Sequence, residues 1–278
     1  MNTFEQITDC VAFHAEGPCW SASWGGLRWV DMLAGDLLTM DAGGALSRLH
    51  VGSIAAFVRP RSGGGYVVGL ERSIGLAENP WEVARPLTPM WENPGVRMNE
   101  GGIDPHGRLY AGSMPYDKTP GAGTLYRISP TSIEVIEAHV TTSNGIEFTA
   151  DGDRAYYNDT ATRYTDVYDV DEDGNLHNRR HFHDANGGSP DGLAVDSEGN
   201  VWCAINRLGI VRLYSPCAQI LDQWELPCPG VTAVTLGGAD RRDVFVTTSR
   251  ETADVPGAGA VYHMRTSVPG QPTKFYKG

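Results

Sequence analysis

A chain of 278 residues, 41% of them hydrophobic, can bury a full core as one large domain or two smaller ones. Its 34 acidic and 22 basic residues give a net charge of −12, which argues against general phosphate-backbone binding, and no apolar run approaches the ~20 residues needed to cross a bilayer. Seven Trp and eleven Tyr exclude a disordered polymer, while 34 Gly and 17 Pro point to many tight turns.

The amino-terminal segment MNTFEQITDC has neither a basic region nor an apolar one, so no secretory signal is expected. Five cysteines (Cys10, Cys19, Cys203, Cys217 and Cys228) form no CxxC pair. They read as free thiols in a reducing cytoplasm, not as a disulfide framework or a zinc knuckle. Amphipathic helical periodicity is nearly absent. Short β-type runs follow instead: LRWVDM from Leu27, YVVGL from Tyr66, LYAGSM from Leu109, AYYNDT from Ala155, VWCAIN from Val201 and VFVTTS from Val244. Their starts are 39, 43, 46, 46 and 43 residues apart. A period of about 40–50 residues with several short strands per unit predicts a β-propeller.

Each unit has a strand before this run and one or two after it. Third strands are expected at Gly123–Ser129, Thr165–Asp171, Gly209–Ser215 and Gly259–Arg265. Fourth strands are expected at Ser132–Ala138 and Ala218–Leu226. The predicted fold is all-β: a six-bladed β-propeller, four antiparallel strands per blade, as one domain over 1–278. A ring of blades protects its own edges, so a monomer is expected.

Aligned on the turn glycine after each first strand, the units show a column of polar residues. Asn99, Asn144 and Asp191 stand eight residues before Gly107, Gly152 and Gly199. Ala56 holds that place before Gly64; Glu16 and Thr232 occupy comparable places in units one and six. First strands of a propeller line its central channel, so these residues face one another. Carboxylates and carboxamides together make a site for a hard divalent cation such as Ca²⁺, Mg²⁺ or Mn²⁺. Capping of turn amides would use the same residue types one at a time. It does not predict their recurrence at one column.

Four motifs occur in order: Glu16-Gly-Pro-Cys-Trp, Arg97-Met-Asn99-Glu-Gly-Gly, Ser143-Asn144-Gly-Ile and Ser189-Pro-Asp191-Gly-Leu. Together they resemble the gluconolactonase, senescence-marker-protein and luciferin-regenerating-enzyme family over almost the whole chain. The resemblance implies a six-bladed propeller with one catalytic divalent cation, with Ca, Zn, Mn, Mg and Fe(II) all open as its identity. By position, Glu16, Asn144 and Asp191 would be its ligands, and Arg97 and Asn99 would hold substrate. Glu100 stands where many relatives have Asp, and Gly102 where many have Lys.

The implied reaction is hydrolysis of a sugar lactone to its aldonic acid. Asp191 is the first choice for the base that moves the proton, and Glu100, also counted among the substrate-binding residues, is the second. A phosphotriesterase or aryl-esterase propeller would share the metal but want a more apolar pocket. A non-catalytic Ca-binding propeller would not need Arg97 and Asn99. No nucleic-acid or membrane partner is expected. Tyr116, Trp20 and Trp24 are candidate sugar-stacking walls, and the segments Ala77–Gly95 and Tyr116–Gly123 are candidate lids. His14 reads as structural or as a donor behind the site, His181-Phe-His183 as a surface strand end, and Asn158-Asp-Thr160 as an unused glycosylation sequon.

Overall fold

The computed structural model describes residues 3–278; the first two residues of the expected 1–278 domain lie outside them. Six four-stranded antiparallel sheets account for the β structure. Helix is confined to three single 3-10 turns among the described residues, so no helix is long and apolar enough to cross a membrane.

The first strands of the blades are Ala15–Ser21, Val58–Pro60, Val96–Ile103, Ser143–Phe148, Ser189–Val195 and Val231–Gly237. Each neighbours the next blade, and the sixth returns to the first, which closes the ring. The apolar runs that set the period are the second strands: Gly26–Asp31, Tyr66–Gly69, Leu109–Pro115, Arg154–Asp159, Val201–Asn206 and Asp243–Thr248. They are buried along nearly their whole length because both faces of a blade meet other blades. The predicted third and fourth strands lie within two residues of their observed bounds: Gly123–Ile128, Tyr164–Val170, Ile210–Tyr214 and Val261–Arg265, with Ile133–Val140 and Ile220–Glu225 outside.

The sixth blade is closed by the other end of the chain. Its outer strand is Glu5–Gln6, paired as Glu5↔His263 and Gln6↔Tyr262. The Thr8 hydroxyl extends this contact by accepting the Val261 amide at 2.9 Å. Beyond the last strand the tail runs across several blades. Gly270 N donates to Arg241 O at 2.7 Å, Tyr276 N to Pro60 O at 2.8 Å and Lys277 N to Gly107 O at 3.0 Å.

Blades meet through large apolar side chains and very small ones. Tyr110 packs on Phe148 across blades three and four at 4.7 Å between ring centroids. Phe57, fully buried just before the second blade's first strand, is cradled by glycines from three blades. A Cβ on Gly17 would lie 2.9 Å from Phe57 Cα; on Gly69 or Gly101 it would lie 2.5 or 2.7 Å from Phe57 Cε1. Gly17 also adopts φ +53°, where a side chain would be strained.

Phe57→Ala should therefore cost about 3–5 kcal/mol and Gly69→Ala about 1–3 kcal/mol of unfolding free energy. All three heavy atoms nearest the new Gly69 methyl belong to the Phe57 ring. Urea unfolding of the double variant should thus show Gly69→Ala nearly free of cost in the Phe57→Ala background. Additive losses would refute this packing.

Candidate active site

The first strands carry their polar column at bulges. In blade three Met98 pairs with Ser113 and Glu100 with Gly112, leaving Asn99 as the extra residue. In blade four the ladder jumps from Ser143 to Ile146, across Asn144 and Gly145. In blade five it jumps from Pro190 to Leu193, across Asp191 and Gly192. In blade one it jumps from Glu16 to Cys19. A bulge breaks the in-out alternation and re-aims the side chain next to it.

The following glycines let neighbouring blades close in. A Cβ on Gly145 would stand 2.7 Å from Asp191 O, and one on Gly192 would stand 2.4 Å from Ala233 Cβ. With both absent, side chains from different blades touch. Asn144 Nδ2 donates to Asp191 Oδ1 at 2.5 Å and to Thr160 Oγ1 at 3.0 Å. Asn206 Nδ2 donates to Asp191 Oδ2 at 2.9 Å. Asn158 Nδ2 donates to the Asp191 carbonyl at 2.6 Å and is itself braced by Thr165.

Glu16, Arg97, Asn99, Asn144 and Asp191 line one cavity of about 800 Å³ with His14. All six are buried. Arg97 donates to Asn99 Oδ1 at 2.7 Å, and Asn99 Nδ2 donates to Ser143 O at 2.9 Å. His14 Nδ1 lies 2.6 Å from Ser249 Oγ. Burial pulls its pKa down to about 4, so it is neutral at pH 7 and braces the wall without adding charge.

Two carboxylates in this confined space are mismatched with their setting. Burial lifts the Asp191 pKa to about 7. Burial, followed by the charges of Asp191 and Glu100, holds Glu16 well above the usual carboxylate range. The Asn144 amide is oriented by its two donated bonds, and its Oδ1 is buried without a partner. A buried acceptor left unmatched beside two carboxylates is the donor set of a hard divalent cation. Among the described residues no group of three or more His, Cys, Asp or Glu could hold a metal, and the Asn144 oxygen is the third donor beside the two carboxylates.

The remaining expectations divide. Glu100 lies past the bulge and lines a second, smaller cavity of about 100 Å³, toward the other end of the first strands. Its Oε1 accepts from Arg59 Nη2 at 3.0 Å and from the Gly101 amide at 2.8 Å. It does not line the larger cavity, yet its charge adds to burial in raising the pKa of both Glu16 and Asp191, so it lies close behind them. Thr232 spends its hydroxyl on the Ala15 carbonyl, at 2.6 Å. Of the candidate lids, the 116–123 loop reaches the larger cavity through Lys118 and Pro120. The 77–95 segment lines neither cavity and is clasped by Arg28 and Tyr66 through bonds to Pro80 O and Glu82 O.

Among the aromatic candidates, Tyr116 stands over Arg97, whose guanidinium carbon is 5.8 Å from the ring centroid. Trp20 lines the smaller cavity, and Trp24 is buried against Arg28 at 4.8 Å. His183 is stacked on Tyr214 at 3.6 Å in the outer strand Leu176–Asp184. Asn158 is fully buried, which explains why its sequon marks no surface. The bonds of Asn158 and Asn206 to Asp191 were not legible in the sequence pattern. Their only signal is an amide near the end of an otherwise apolar second strand.

Residues 14–250 match the model of the SMP-30/gluconolactonase/LRE-like region. A 6-deoxy-6-sulfogluconolactonase of Pseudomonas putida is 35% identical, over 95% of this chain and 94% of its own length. A pentonolactonase of Haloferax volcanii is 29% identical over 97% of both chains. The solved structure of a luciferin-regenerating enzyme superposes with a TM-score of 0.91 at 25% identity, covering both chains fully. With the family model covering most of the chain, and its polar column assembled in one cavity, this protein belongs to the SMP-30/gluconolactonase/LRE-like family.

Proposed function

We propose that this protein opens the ring ester of a sugar lactone to the aldonic acid, using one divalent cation held by Glu16, Asn144 and Asp191. The observation that carries this reading is the convergence of those oxygen donors with Arg97 and Asn99 in a single cavity. The lactonases of P. putida and H. volcanii support the same class of reaction. The polar side chains Arg97, Asn99, Asn144 and Asn206 on its wall offer a polyol hydrogen-bond partners that an aryl ester would not use.

In this reading Asp191 takes a proton from the water that attacks the lactone carbonyl carbon. As the tetrahedral centre collapses, the bond from that carbon to the ring oxygen breaks, and Asp191 returns the proton to that oxygen. With the cation bound, Asp191 would be held ionised and so able to accept that proton. Asn206 and Asn158 hold its side chain and its backbone. Arg97 and Asn99, already bonded to each other, present guanidinium and amide groups to sugar hydroxyls. Glu100 is engaged by Arg59, so the proton transfer is assigned to Asp191 alone. When bound, the cation would supply Lewis-acid stabilisation of negative charge on the carbonyl oxygen. The open candidates remain Ca, Zn, Mn, Mg and Fe(II).

Acid release from glucono-1,5-lactone, followed after chelation and re-addition of each metal, tests the assignment. Asp191→Ala should lose at least about 10²-fold in kcat. Arg97→Ala should act mainly through a higher KM. Full turnover by Asp191→Ala with every metal would exclude the mechanism.

The buried pair also predicts how the chelated protein responds to pH. Unfolded Asp and Glu ionise near pH 4, whereas burial keeps Asp191 protonated up to about pH 7 in the folded state. The folded form therefore binds more protons between about pH 4 and 7, and its stability falls as pH rises through that window. In thermal unfolding, Tm should decline toward neutral pH in chelator. Saturating divalent cation should raise Tm and flatten that slope. Asp191→Asn should reduce that slope without metal, leaving the part due to Glu16.

A further inference from the structure

The lactonase reading leaves the mouth of the larger cavity unexplained. Lys118, Arg163 and Arg207 all line it. Each sits on the connection between the second and third strands of its blade, in blades three, four and five. Three consecutive blades thus present one cation each to the same rim. All three residues are exposed, and among the described residues their side chains make no ion pair or hydrogen bond. Arg85, Arg241 and Arg242 also lack a side-chain partner, but none of them lines either cavity, whereas Lys118, Arg163 and Arg207 converge on one.

The backbone marks the same three positions. Lys118, Arg163 and Arg207 have φ of 58°, 66° and 73°, and they are three of eight non-glycine residues with positive φ among the described residues. Arg163 ends the 3-10 turn Thr160–Thr162; the corresponding turn of blade one, Met32–Ala34, ends at Gly35 with φ 69°. Glycine takes this conformation without steric penalty, yet here the chain carries an arginine. Strain of this kind collects at binding sites. The cavity lining holds four cations, counting Arg97, against the three carboxylates of Glu16, Asp191 and Glu251, in a chain whose net charge is −12.

We propose that the physiological lactone carries a terminal oxyanion, a sulfonate or a phosphate, which Lys118, Arg163 and Arg207 hold at the rim. Glu16, Asn144 and Asp191 are buried while the three cations are exposed, so the ester enters first and the charged end stays at the mouth. Arginine forks match the oxygens of such groups, and an arc of unpaired cations draws an anion toward an otherwise acidic protein. A neutral sugar would leave all three without a partner. The inference rests on the lactonase reading and adds the charge of its substrate.

The test compares kcat/KM for glucono-1,5-lactone, 6-phosphoglucono-1,5-lactone and 6-deoxy-6-sulfoglucono-1,5-lactone. The metal-loaded parent is measured beside Arg163→Gly, Arg207→Gly and Lys118→Ala. At least one anionic lactone should exceed the neutral one by about tenfold, chiefly through KM, and whichever leads identifies the group. Arg163→Gly and Arg207→Gly should each lower the anionic-to-neutral ratio by about tenfold. Because glycine suits their backbone, both variants should melt no lower than the parent. A parent that prefers the neutral lactone, or a ratio that neither arginine variant moves, overturns the proposal.

If none of the three lactones is opened, the lactonase reading fails, and the rim is judged by calorimetry with 6-phosphogluconate and gluconate. Tighter binding of 6-phosphogluconate, weakened in both arginine variants, supports the anion site. Equal affinities refute it.

Discussion

The close approach of neighbouring first strands is the constraint on which the rest of this structure depends. Between blades four and five no room exists for a methyl group beyond Asn144, and between blades five and six none exists beyond Asp191. Glycine at 145 and 192 is thus a packing requirement, and the glycines around Phe57 play the same part on the opposite side of the ring. Tight contact of first strands closes six sheets into a ring and covers their inner edges. It also brings side chains more than forty residues apart in sequence to within hydrogen-bond distance.

That same closeness creates the chemical potential of the site. Glu16 and Asp191 are buried on the cavity wall, and burial disfavours their ionised forms. The fold could have relieved this with arginine, as it does for Glu100 through Arg59 and for Asp104 through Arg108. In the larger cavity the arginine is instead turned to Asn99, and the carboxylates are left to amides from Asn144 and Asn206. A site built in this way stores an unmet demand for positive charge. The proposed cation would answer that demand, and the proton transfer proposed for Asp191 uses the same buried carboxyl.

Much of the fold was legible because a propeller writes its period into the chain. The second strands are buried on both faces, so they stand out as apolar runs at near-constant spacing. The column from Glu16 to Asp191 was legible for a related reason: equivalent places in repeated units share one environment. Single-unit features were harder to read. Glu100 adjoins Asn99 in sequence, yet the bulge between them sends the two side chains to different cavities. Thr232 shares the column but bonds the Ala15 carbonyl, because blade one lies against it there. Asn158 matched a sequon pattern, and its burial as a brace for the Asp191 backbone could not be seen from that pattern.

The sequence by itself determined the all-β class, the number of blades, the second-strand positions and the residue types offered to the site. Those depend on local burial and turn chemistry, which repeat every 39–46 residues. Only the tertiary structure decided that Glu5–Gln6 completes the last blade, that the carboxyl-terminal tail ties blades two, three and six, and that Lys118, Arg163 and Arg207 share one rim. These are contacts between distant parts of the chain. No local pattern encodes them, because they arise only once the ring has closed.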